Sequence, residues 1–392
     1  MRRRAIILVL DGVGAGEAPD TAAYGDAGSD TLGNTARAVG GLKLPNLQAF
    51  GLGNIEPIAG VPPTDDPQAA WGAMNPASPG KDSTTGHWEI AGLHLERPFP
   101  TYPNGFPADV IEAFVRATGR EVLGNIPASG TEIIDRFGPE HEKTGKFIVY
   151  TSADSVFQIA AHEDVIPLKE LYAACEAARR LLVAPHDVSR VIARPFLGRV
   201  GSYRRSKNRR DYSLAPPAET LLDALAGAGV SRAGVGKIDD LFSGRSISSR
   251  HVADNAEGIR AIMEWLASAQ GGLLFSNLVD FDTLYGHRGD VAGFERALRQ
   301  FDDALPAMRA ALREDDLLFI TADHGNDPTT GSTDHARERV PLLVAGPQVH
   351  PLPLGTRPTF SDLGATVAEW LNIGFRGKGT SFLLTLERGQ PS

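Results

Sequence analysis

The 392-residue chain has a single cysteine, Cys175, and no apolar stretch long enough to cross a bilayer. One cysteine excludes an internal disulfide and is typical of a reducing compartment. We expect Cys175 to be a small buried residue on the apolar face of a helix. Positive charge is also in deficit, because the formal net charge is −9, so nucleic acid is not an expected partner. Hydrophobic residues (42%) and charged residues (22%) occur in the proportions of an ordinary globular protein, long enough for two or three domains.

The N-terminus imitates a secretory signal but lacks its essential parts. Arginines at positions 2–4 precede an apolar run from Ala5 to Leu10, which is short, is followed by Asp11 and has no small-residue cleavage site after it. We interpret the run as a first β-strand. The expected location is therefore cytoplasmic.

Three short apolar runs are typical of strands buried on both faces of a parallel sheet, and each ends in acidic residues or histidines. Ligands of open α/β sheets bind beyond the carboxyl ends of the strands, so we expect these side chains to meet. Three carboxylates and three imidazoles exceed the needs of one four-coordinate ion and suit two divalent metal ions. The alternative is that aspartates such as Asp323 and Asp327 only cap turns. The three sets are Asp11; Asp280 or Asp282 with His287; and Asp323 with His324 and His335.

A second candidate stretch carries three consecutive hydroxyl side chains, Ser83, Thr84 and Thr85, after Lys81 and Asp82. These residue types fit the start of a helix, where short polar side chains accept hydrogen bonds from free backbone N–H groups. They equally fit a nucleophile, because a hydroxyl oxygen bound to a divalent cation loses its proton more readily and can attack phosphorus. The residues alone leave both interpretations open.

The strand–helix rhythm changes between residues 99 and 216, which we interpret as an insertion into the main sheet domain. Its run Arg204 to Arg210 is densely cationic in an otherwise acidic chain. A solvated loop is the default interpretation, and a clamp for a phosphorylated substrate is the alternative, because arginine binds phosphate in bidentate fashion. Residues 211–217 are interpreted as a linker, and residues 20–80 as short helices and loops. The glycines near Gly12 and Lys237 lack the spacing of nucleotide-binding motifs.

These motifs together resemble those of the bacterial phosphopentomutases in the alkaline phosphatase superfamily. The resemblance covers nearly the whole chain. It is carried by residues 11–14 (DGVG), 28–31 (GSDT), 80–89 (GKDSTTGHWE), 152–163 (SADSVFQIAAHE), 190–195 (RVIARP), 279–288 (VDFDTLYGHR), 321–328 (TADHGNDP) and 333–335 (TDH).

The resemblance implies an α/β fold with a mostly parallel sheet sandwiched by helices, the alkaline-phosphatase-like core. Residues 1–98 and 217–392 would form this metal-binding catalytic core. Residues 99–216 would form a smaller inserted α+β cap domain that carries sugar-phosphate contacts.

The resemblance also implies a site with two Mn²⁺ ions and a phosphorylated nucleophile. One ion would be held by Asp282, His287 and His335, and the other by Asp11, Asp323 and His324. Ser83 would be the nucleophile, at a position where the family usually has threonine. The substrate contacts would be Ser152, Asp154, Val156, Arg190, Ile192 and Lys237.

The implied activity is the interconversion of ribose 1-phosphate, or 2-deoxyribose 1-phosphate, and the 5-phosphate through a bisphosphate intermediate. The enzyme would be an isomerase, with glucose 1,6-bisphosphate as activator and small pentose phosphates as partners. No nucleic acid or membrane partner is expected; the oligomeric state stays open, and a monomer is compatible with the sequence. Two rivals remain, namely a metal-dependent phosphatase or phosphoglycerate-mutase-like enzyme on the same core, and a sugar-phosphate binding protein without turnover.

Overall fold

A computed structural model describes residues 3–152 and 154–389. These residues form two compact units. The core unit contains the described residues up to Pro98 and from Pro216 onward, and the inserted unit is Phe99–Ala215. Within the described ranges, no helix combines the length and apolarity needed to cross a membrane.

Strands and helices alternate along most of the chain. The strands are β1 Arg4–Leu10, β2 Ala70–Met74, β3 Val122–Pro127, β4 Phe147–Thr151, β5 Val156–His162, β6 Arg190–Leu197, β7 Arg204–Arg205, β8 Arg210–Ser213, β9 Arg232–Val235, β10 Ser249–Arg250, β11 Gly272–Leu278, β12 Asp316–Thr321, β13 Val340–Ala345 and β14 Pro353–Arg357. The α-helices are α1 Thr31–Ala38, α2 Pro45–Ala49, α3 Ser83–Ile90, α4 Ala108–Thr118, α5 Gly130–Thr144, α6 Leu168–Leu181, α7 Leu221–Gly227, α8 Ile238–Leu241, α9 Asn255–Ala267, α10 Val291–Ala310, α11 Ser361–Trp370 and α12 Leu383–Arg388.

The core unit is built on an eight-stranded sheet in the order β10-β9-β11-β1-β12-β13-β2-β14. The strands from β10 to β12 are parallel, and β13 runs antiparallel to both of its neighbours. Every residue of β1, β11 and β12 is buried, as expected for strands covered by helices on both faces. The predicted fold class, an α/β protein with a mostly parallel sheet, is confirmed.

Strand β1 is held in register by its two neighbours, β11 and β12. The carboxyl ends of these three strands therefore lie at one edge of the sheet. Ala5 lies opposite Leu273 of β11 on one side and Leu317 of β12 on the other. At the opposite end of these strands, Arg4 and Asp316 are register partners. The Arg4 side chain donates to both carboxylate oxygens of Asp316, with an Nε–Oδ1 distance of 2.7 Å, and both residues are buried.

The inserted unit has its own sheet, in the order β3-β4-β5-β6-β7, with β8 also paired to β6. One apolar cluster, containing Phe114, Phe157 and Cys175, packs between this sheet and helices α4 and α6. A smaller cluster, containing Ile133 and Tyr150, lies on the other face beneath α5. Cys175 is buried on α6, in agreement with the prediction, and burial raises the pKa of its thiol.

Several local predictions were wrong. Residues 20–80 contain a strand, β2, which has a glycine at its centre and therefore lacks a strand-like pattern. The cationic run contains two short strands, β7 and β8, each paired antiparallel with β6, rather than a loop alone, and β8 takes up the start of the predicted linker. Pro306 does not interrupt α10, which continues through it to Ala310.

Candidate active site

Strands β1, β11 and β12 deliver the predicted metal ligands to one edge of the core sheet. Asp11 follows β1, Asp282 follows β11, and Asp323 and His324 follow β12. His287 comes from a short helical turn, Gly286–Arg288, shortly after Asp282. His335 lies in the loop before β13. The topology therefore gathers residues that are more than 300 positions apart in the sequence.

The first group of ligands surrounds the Asp282 carboxylate. Nε2 of His287 lies 3.3 Å from Asp282 Oδ2, and Nε2 of His335 lies 3.2 Å from Asp282 Oδ1. The Nδ1 atom of His287 lies 2.7 Å from the carbonyl oxygen of Thr333, so Nδ1 donates to that oxygen and the ring is held with Nε2 toward Asp282. Asp282, His287 and His335 offer donor atoms that all lie within 4.8 Å of one another.

The second group surrounds His324. Its Nε2 atom lies 3.4 Å from Asp11 Oδ1 and 3.4 Å from Asp323 Oδ2. Asp11, His324 and Asp282 also offer donor atoms within 4.8 Å of one another, so Asp282 lies between the two groups. The ring of His335 is 4.1 Å from that of His324, centroid to centroid, which joins the groups into one cluster.

Burial and mutual repulsion make the carboxylates of this cluster unequal. Burial raises the pKa of Asp11, and the negative charges of Asp323 and Asp282 raise it further. Burial also opposes ionisation of Asp282, but the nearby His335 and His287 hold the pKa of Asp282 well below its usual range. The hydrogen bond with Asp282 raises the pKa of His287 to about 9.

The donor set fits divalent cations. Asp323 Oδ2 and His335 Nε2 are buried, yet neither atom has a hydrogen-bond partner among the described residues. Unpaired buried polar atoms are costly, and a bound cation would satisfy both. The mixture of carboxylate oxygens and imidazole nitrogens is chemically suited to first-row divalent metals.

Ser83 lies at the first position of α3 and faces the cluster. Its Oγ is 3.1 Å from His324 Nε2 and 3.5 Å from Asp11 Oδ1. The neighbouring hydroxyls differ from it: Thr85 donates to Asp82, which caps the helix by accepting from the Thr85 backbone N–H, and Thr84 is buried. Asp82 therefore caps α3, while Ser83 faces the predicted metal ligands and its role as a nucleophile stays a prediction.

Helix α3 lies close to the predicted metal ligands because residue 86 is glycine. A Cβ atom there would lie 2.1 Å from the carbonyl oxygen of Asp323. Any larger residue would push the helix away from the chain that leaves β12. Gly86 thus sets the distance between Ser83 and its neighbours.

Five of the six predicted substrate contacts lie together in the inserted unit. Ser152 and Asp154 follow β4, and Val156 and Arg190 are register partners at the start of β5 and β6. Arg190 lies 3.9 Å from Asp154 and 3.7 Å from the Asp211 carboxylate. Ile192 follows on the same face of β6. The sixth predicted contact, Lys237, belongs to the core unit and is exposed at the N-terminal end of α8.

The comparisons with known proteins agree with this arrangement. The metalloenzyme superfamily model matches residues 3–374. A phosphopentomutase of Dictyoglomus thermophilum is 60% identical over 99% of this chain and 99% of its own length. That of Acetivibrio thermocellus is 56% identical over 97% and 99%. The chain belongs to the phosphopentomutase family.

Solved structures support the fold of the phosphopentomutase family at much lower identity. The phosphoglycerate mutase of Leishmania mexicana aligns with a TM-score of 0.50 at 12% identity, over 97% of both chains. At that identity the likeness concerns the fold alone. The predicted family is confirmed by the close relatives, and so is the prediction of an enzyme of the isomerase class, since phosphopentomutases are intramolecular phosphotransferases.

Sequence reasoning missed a buried histidine, His87, which the family motif contains at 80–89. Its Nδ1 lies 2.8 Å from the Ser83 carbonyl oxygen and 3.2 Å from Asp323 Oδ2. Its Nε2 lies 3.1 Å from the amide nitrogen of Asn277, which also donates to Asp11. The available signal was the spacing of four residues from Ser83, which places both side chains on one face of a helix.

Two aspartates that the sequence placed near the metal ligands have other partners. Asp280 accepts a hydrogen bond from the backbone of Asn255 and lies outside both ligand groups. Asp327 accepts from the backbone N–H of Thr329, as expected for a residue that caps a turn. A third group, formed by Asp239, Asp240 and His251, is half-buried to exposed and was not predicted.

Proposed function

We propose that this chain interconverts ribose 1-phosphate, or 2-deoxyribose 1-phosphate, and the corresponding 5-phosphate. The observation that carries the proposal is the position of Ser83 against His324 and Asp11, in a chain whose close relatives are named phosphopentomutases. A hydroxyl group held against a cluster of metal ligands is suited to accept and return a phosphoryl group.

We propose two Mn²⁺ ions as the cofactor. Asp282, His287 and His335 would hold one, and Asp11, Asp323 and His324 the other. Bound there, the ions would neutralise charge on the transferring phosphoryl group and lower the pKa of the attacking hydroxyl.

In the proposed cycle, Ser83 carries the phosphoryl group between turnovers. The bond between Ser83 Oγ and phosphorus breaks as a sugar hydroxyl oxygen bonds to phosphorus, which yields ribose 1,5-bisphosphate. Transfer from the other position back to Ser83 completes the isomerisation. Glucose 1,6-bisphosphate would phosphorylate Ser83 at the outset. Since Ser83 begins α3, the free N–H groups and the positive end of that helix would stabilise the phosphoserine.

The sugar phosphate would be recognised by Ser152, Asp154, Val156, Arg190 and Ile192 of the inserted unit and by Lys237. Such contacts decide whether a sugar or water receives the phosphoryl group, which separates a mutase from a phosphatase. The pentose phosphates as partners, the absence of nucleic acid and membrane partners, and the cytoplasmic location stay predictions.

A phosphorus NMR time course tests the proposal. Manganese-loaded protein receives ribose 1-phosphate with a trace of glucose 1,6-bisphosphate, and we expect ribose 5-phosphate with little free phosphate. Ser83→Ala should lower the rate by about 10⁴-fold or more, the usual scale for a removed nucleophile. Ser83→Thr is the matched control, because it keeps the hydroxyl, and we expect it to remain active.

Each result has a distinct meaning. Inorganic phosphate as the main product would instead establish a phosphatase. An unchanged sugar phosphate in every sample, despite bound metal, would favour a binding protein without turnover. Removal of the metal by a chelator should abolish the reaction, and Mn²⁺ should restore it.

A further inference from the structure

The chain that leads to the proposed nucleophile has no regular structure of its own. Strand β2 ends at Met74 and helix α3 begins at Ser83, and the residues between them, 75–82, are neither helical nor extended in a sheet. We call residues 75–82 the β2–α3 loop. Because a loop has no ladder of hydrogen bonds, other parts of the chain must supply partners for its backbone groups. The position of Ser83 therefore depends on those partners.

The buried side chain of Arg337 binds three carbonyl groups of the β2–α3 loop. Its Nη1 donates to the carbonyl oxygens of Ser78 and Gly80, at 2.6 and 2.5 Å. Its Nη2 donates to the carbonyl oxygen of Pro76 at 2.9 Å. Alternate residues of the loop thus point their carbonyl groups at one guanidinium group, and the loop wraps around it.

The remaining donors of this guanidinium group also have acceptors. Nε and Nη2 of Arg337 donate to the two carboxylate oxygens of Asp20, at 3.0 and 2.9 Å, and Cζ lies 4.7 Å from the ring centroid of Tyr24. All five N–H groups of the side chain are therefore used. Lysine carries three donors on a single nitrogen and cannot reproduce this planar arrangement.

Arg337 belongs to the segment that carries the predicted metal ligand His335, which lies two residues before it. The backbone N–H of Arg337 donates to Asp26 at 2.8 Å. Lys81 of the β2–α3 loop reaches in the opposite direction, because its Nζ lies 3.0 Å from Asp26 Oδ1 and 3.2 Å from Asp334 Oδ2. Each of the two segments thus contributes one basic side chain to the connection between them.

We propose that Arg337 is a positioning residue for Ser83, and that Lys81 assists it through Asp334. Together they tie the β2–α3 loop to the segment of His335, and so fix the separation between the Ser83 hydroxyl and the metal ligands. A misplacement of about 1 Å can cost roughly 100-fold in rate, even when it arises far from the reacting atoms. The inference rests on the proposed function, since it concerns phosphoryl transfer to and from Ser83.

Steady-state kinetics of the full-length, manganese-loaded Arg337→Lys protein test this role. Lysine keeps the charge but not the five donors, so we expect kcat to fall by about 10- to 100-fold. The KM for ribose 1-phosphate should stay within about twofold, because Arg337 acts on the nucleophile and not on the sugar. In Arg337→Ala, guanidinium ion at a non-denaturing concentration should restore part of kcat. An unchanged kcat in Arg337→Lys, or a loss confined to KM, would overturn the inference.

Arg339→Lys is the matched control. Arg339 lies in the same segment, two residues after Arg337, and its guanidinium group pairs with Glu56 at 3.4 Å instead of with the β2–α3 loop. We expect its kcat to stay within about twofold of the wild type. Equal losses in the two variants would show a general effect on the segment and would refute a specific role of Arg337.

Lys81→Met gives a second test that leaves the buried guanidinium group in place. We expect kcat to fall by about tenfold, and the double variant with Asp334→Asn to be no slower, because residues that act as a pair have non-additive effects. Losses that multiply would overturn the connection through Asp334. A wild-type protein that forms no ribose 5-phosphate in the NMR assay would refute the proposed function instead, before any variant is compared.

Discussion

Hydrogen bonds connect His87 to the backbone of Ser83 and, through Asn277, to the predicted metal ligand Asp11. Its ring lies between the Ser83 carbonyl group, the Asp323 carboxylate and the Asn277 amide, and it stacks on Phe275 at a centroid distance of 5.6 Å. Outer partners of this kind fix the orientation of metal-binding groups. We therefore expect His87 to act as a positioning residue for Ser83 and Asp323.

We predict that His87→Phe weakens Mn²⁺ binding by about 10- to 100-fold, the usual effect of removing such a partner. Phenylalanine should fit the apolar side of the pocket, since the ring already stacks on Phe275. The affinity can be measured by competition with a chelating dye. His94→Gln is the control, because His94 contacts Thr359 and is not one of the metal-site residues. Equal losses in both variants would contradict the positioning role.

His141 of the inserted unit is expected to make the stability of the protein depend on pH. Its Nδ1 lies 2.6 Å from the Lys146 carbonyl oxygen, and its Nε2 accepts from the backbone N–H of His162 at 2.9 Å. Burial lowers the pKa of His141 below its ordinary value of 6.5. As the pH falls through 6.5, His141 binds a proton in the unfolded chain but not yet in the folded protein. The free energy of unfolding therefore decreases as the pH falls from 6.5 to the lowered pKa of His141 in the folded protein.

We predict that His141→Gln reduces this loss of stability, because glutamine offers a donor and an acceptor but does not titrate. The free energy of unfolding should be measured for both proteins between about pH 7 and pH 5. The variant is expected to be less stable at neutral pH and to depend less on pH. Parallel pH profiles for the two proteins would show that other groups cause the acid sensitivity.

The positions of individual candidate ligands could be predicted where the residue directly follows a strand in the sequence. Asp11, Asp323 and His324 each follow an apolar run, so their positions depended only on finding the strands. His87 could not be assigned a role in this way. Its partner Asn277 lies 190 residues away, and nothing in the sequence near position 87 shows that α3 converges with strands β11 and β12.

At the scale of elements, the buried pair Arg4–Asp316 holds the starts of β1 and β12 in register. The guanidinium also donates to the Leu266 carbonyl oxygen at 2.9 Å, so most of its donors are satisfied inside the protein. A buried charge that loses its partner is strongly destabilising. The register of β1 against β12 in turn sets where Asp11 and Asp323 leave the sheet.

We predict that Asp316→Asn lowers the free energy of unfolding by about 3–5 kcal/mol, since it leaves Arg4 without a counter-charge. Urea unfolding followed by circular dichroism would measure the change. Glu314→Gln is the control, because Glu314 lies two residues before Asp316 and is exposed. Its replacement should change the free energy of unfolding by less than about 0.5 kcal/mol. A small effect of Asp316→Asn would mean that the Arg4–Asp316 pair contributes little to the stability of the protein.

Elements with a continuous apolar pattern were predictable, and those without one were not. Strands β1, β11 and β12 are buried on both faces and carry uninterrupted apolar runs. Strand β14 lies at the sheet edge and is half exposed, and the two short strands β7 and β8 are half arginine. The identity of such strands depends on pairing with distant segments, which local sequence does not encode.

For the whole molecule, the family resemblance predicted more than the residue pattern did. The residue pattern alone indicated a metal site and an insertion. The pentose substrate was predicted from the resemblance to the phosphopentomutases, and the close relatives confirm membership of that family.

The strand order of the core sheet has a consequence for synthesis on the ribosome. Strand β1 emerges first, yet its neighbours β11 and β12 emerge only after more than 260 further residues. The inserted unit is a continuous segment, so all of its partners are available once Ala215 has left the exit tunnel. We therefore expect the inserted unit to fold first, while the N-terminal strand remains without its sheet until the chain is almost complete.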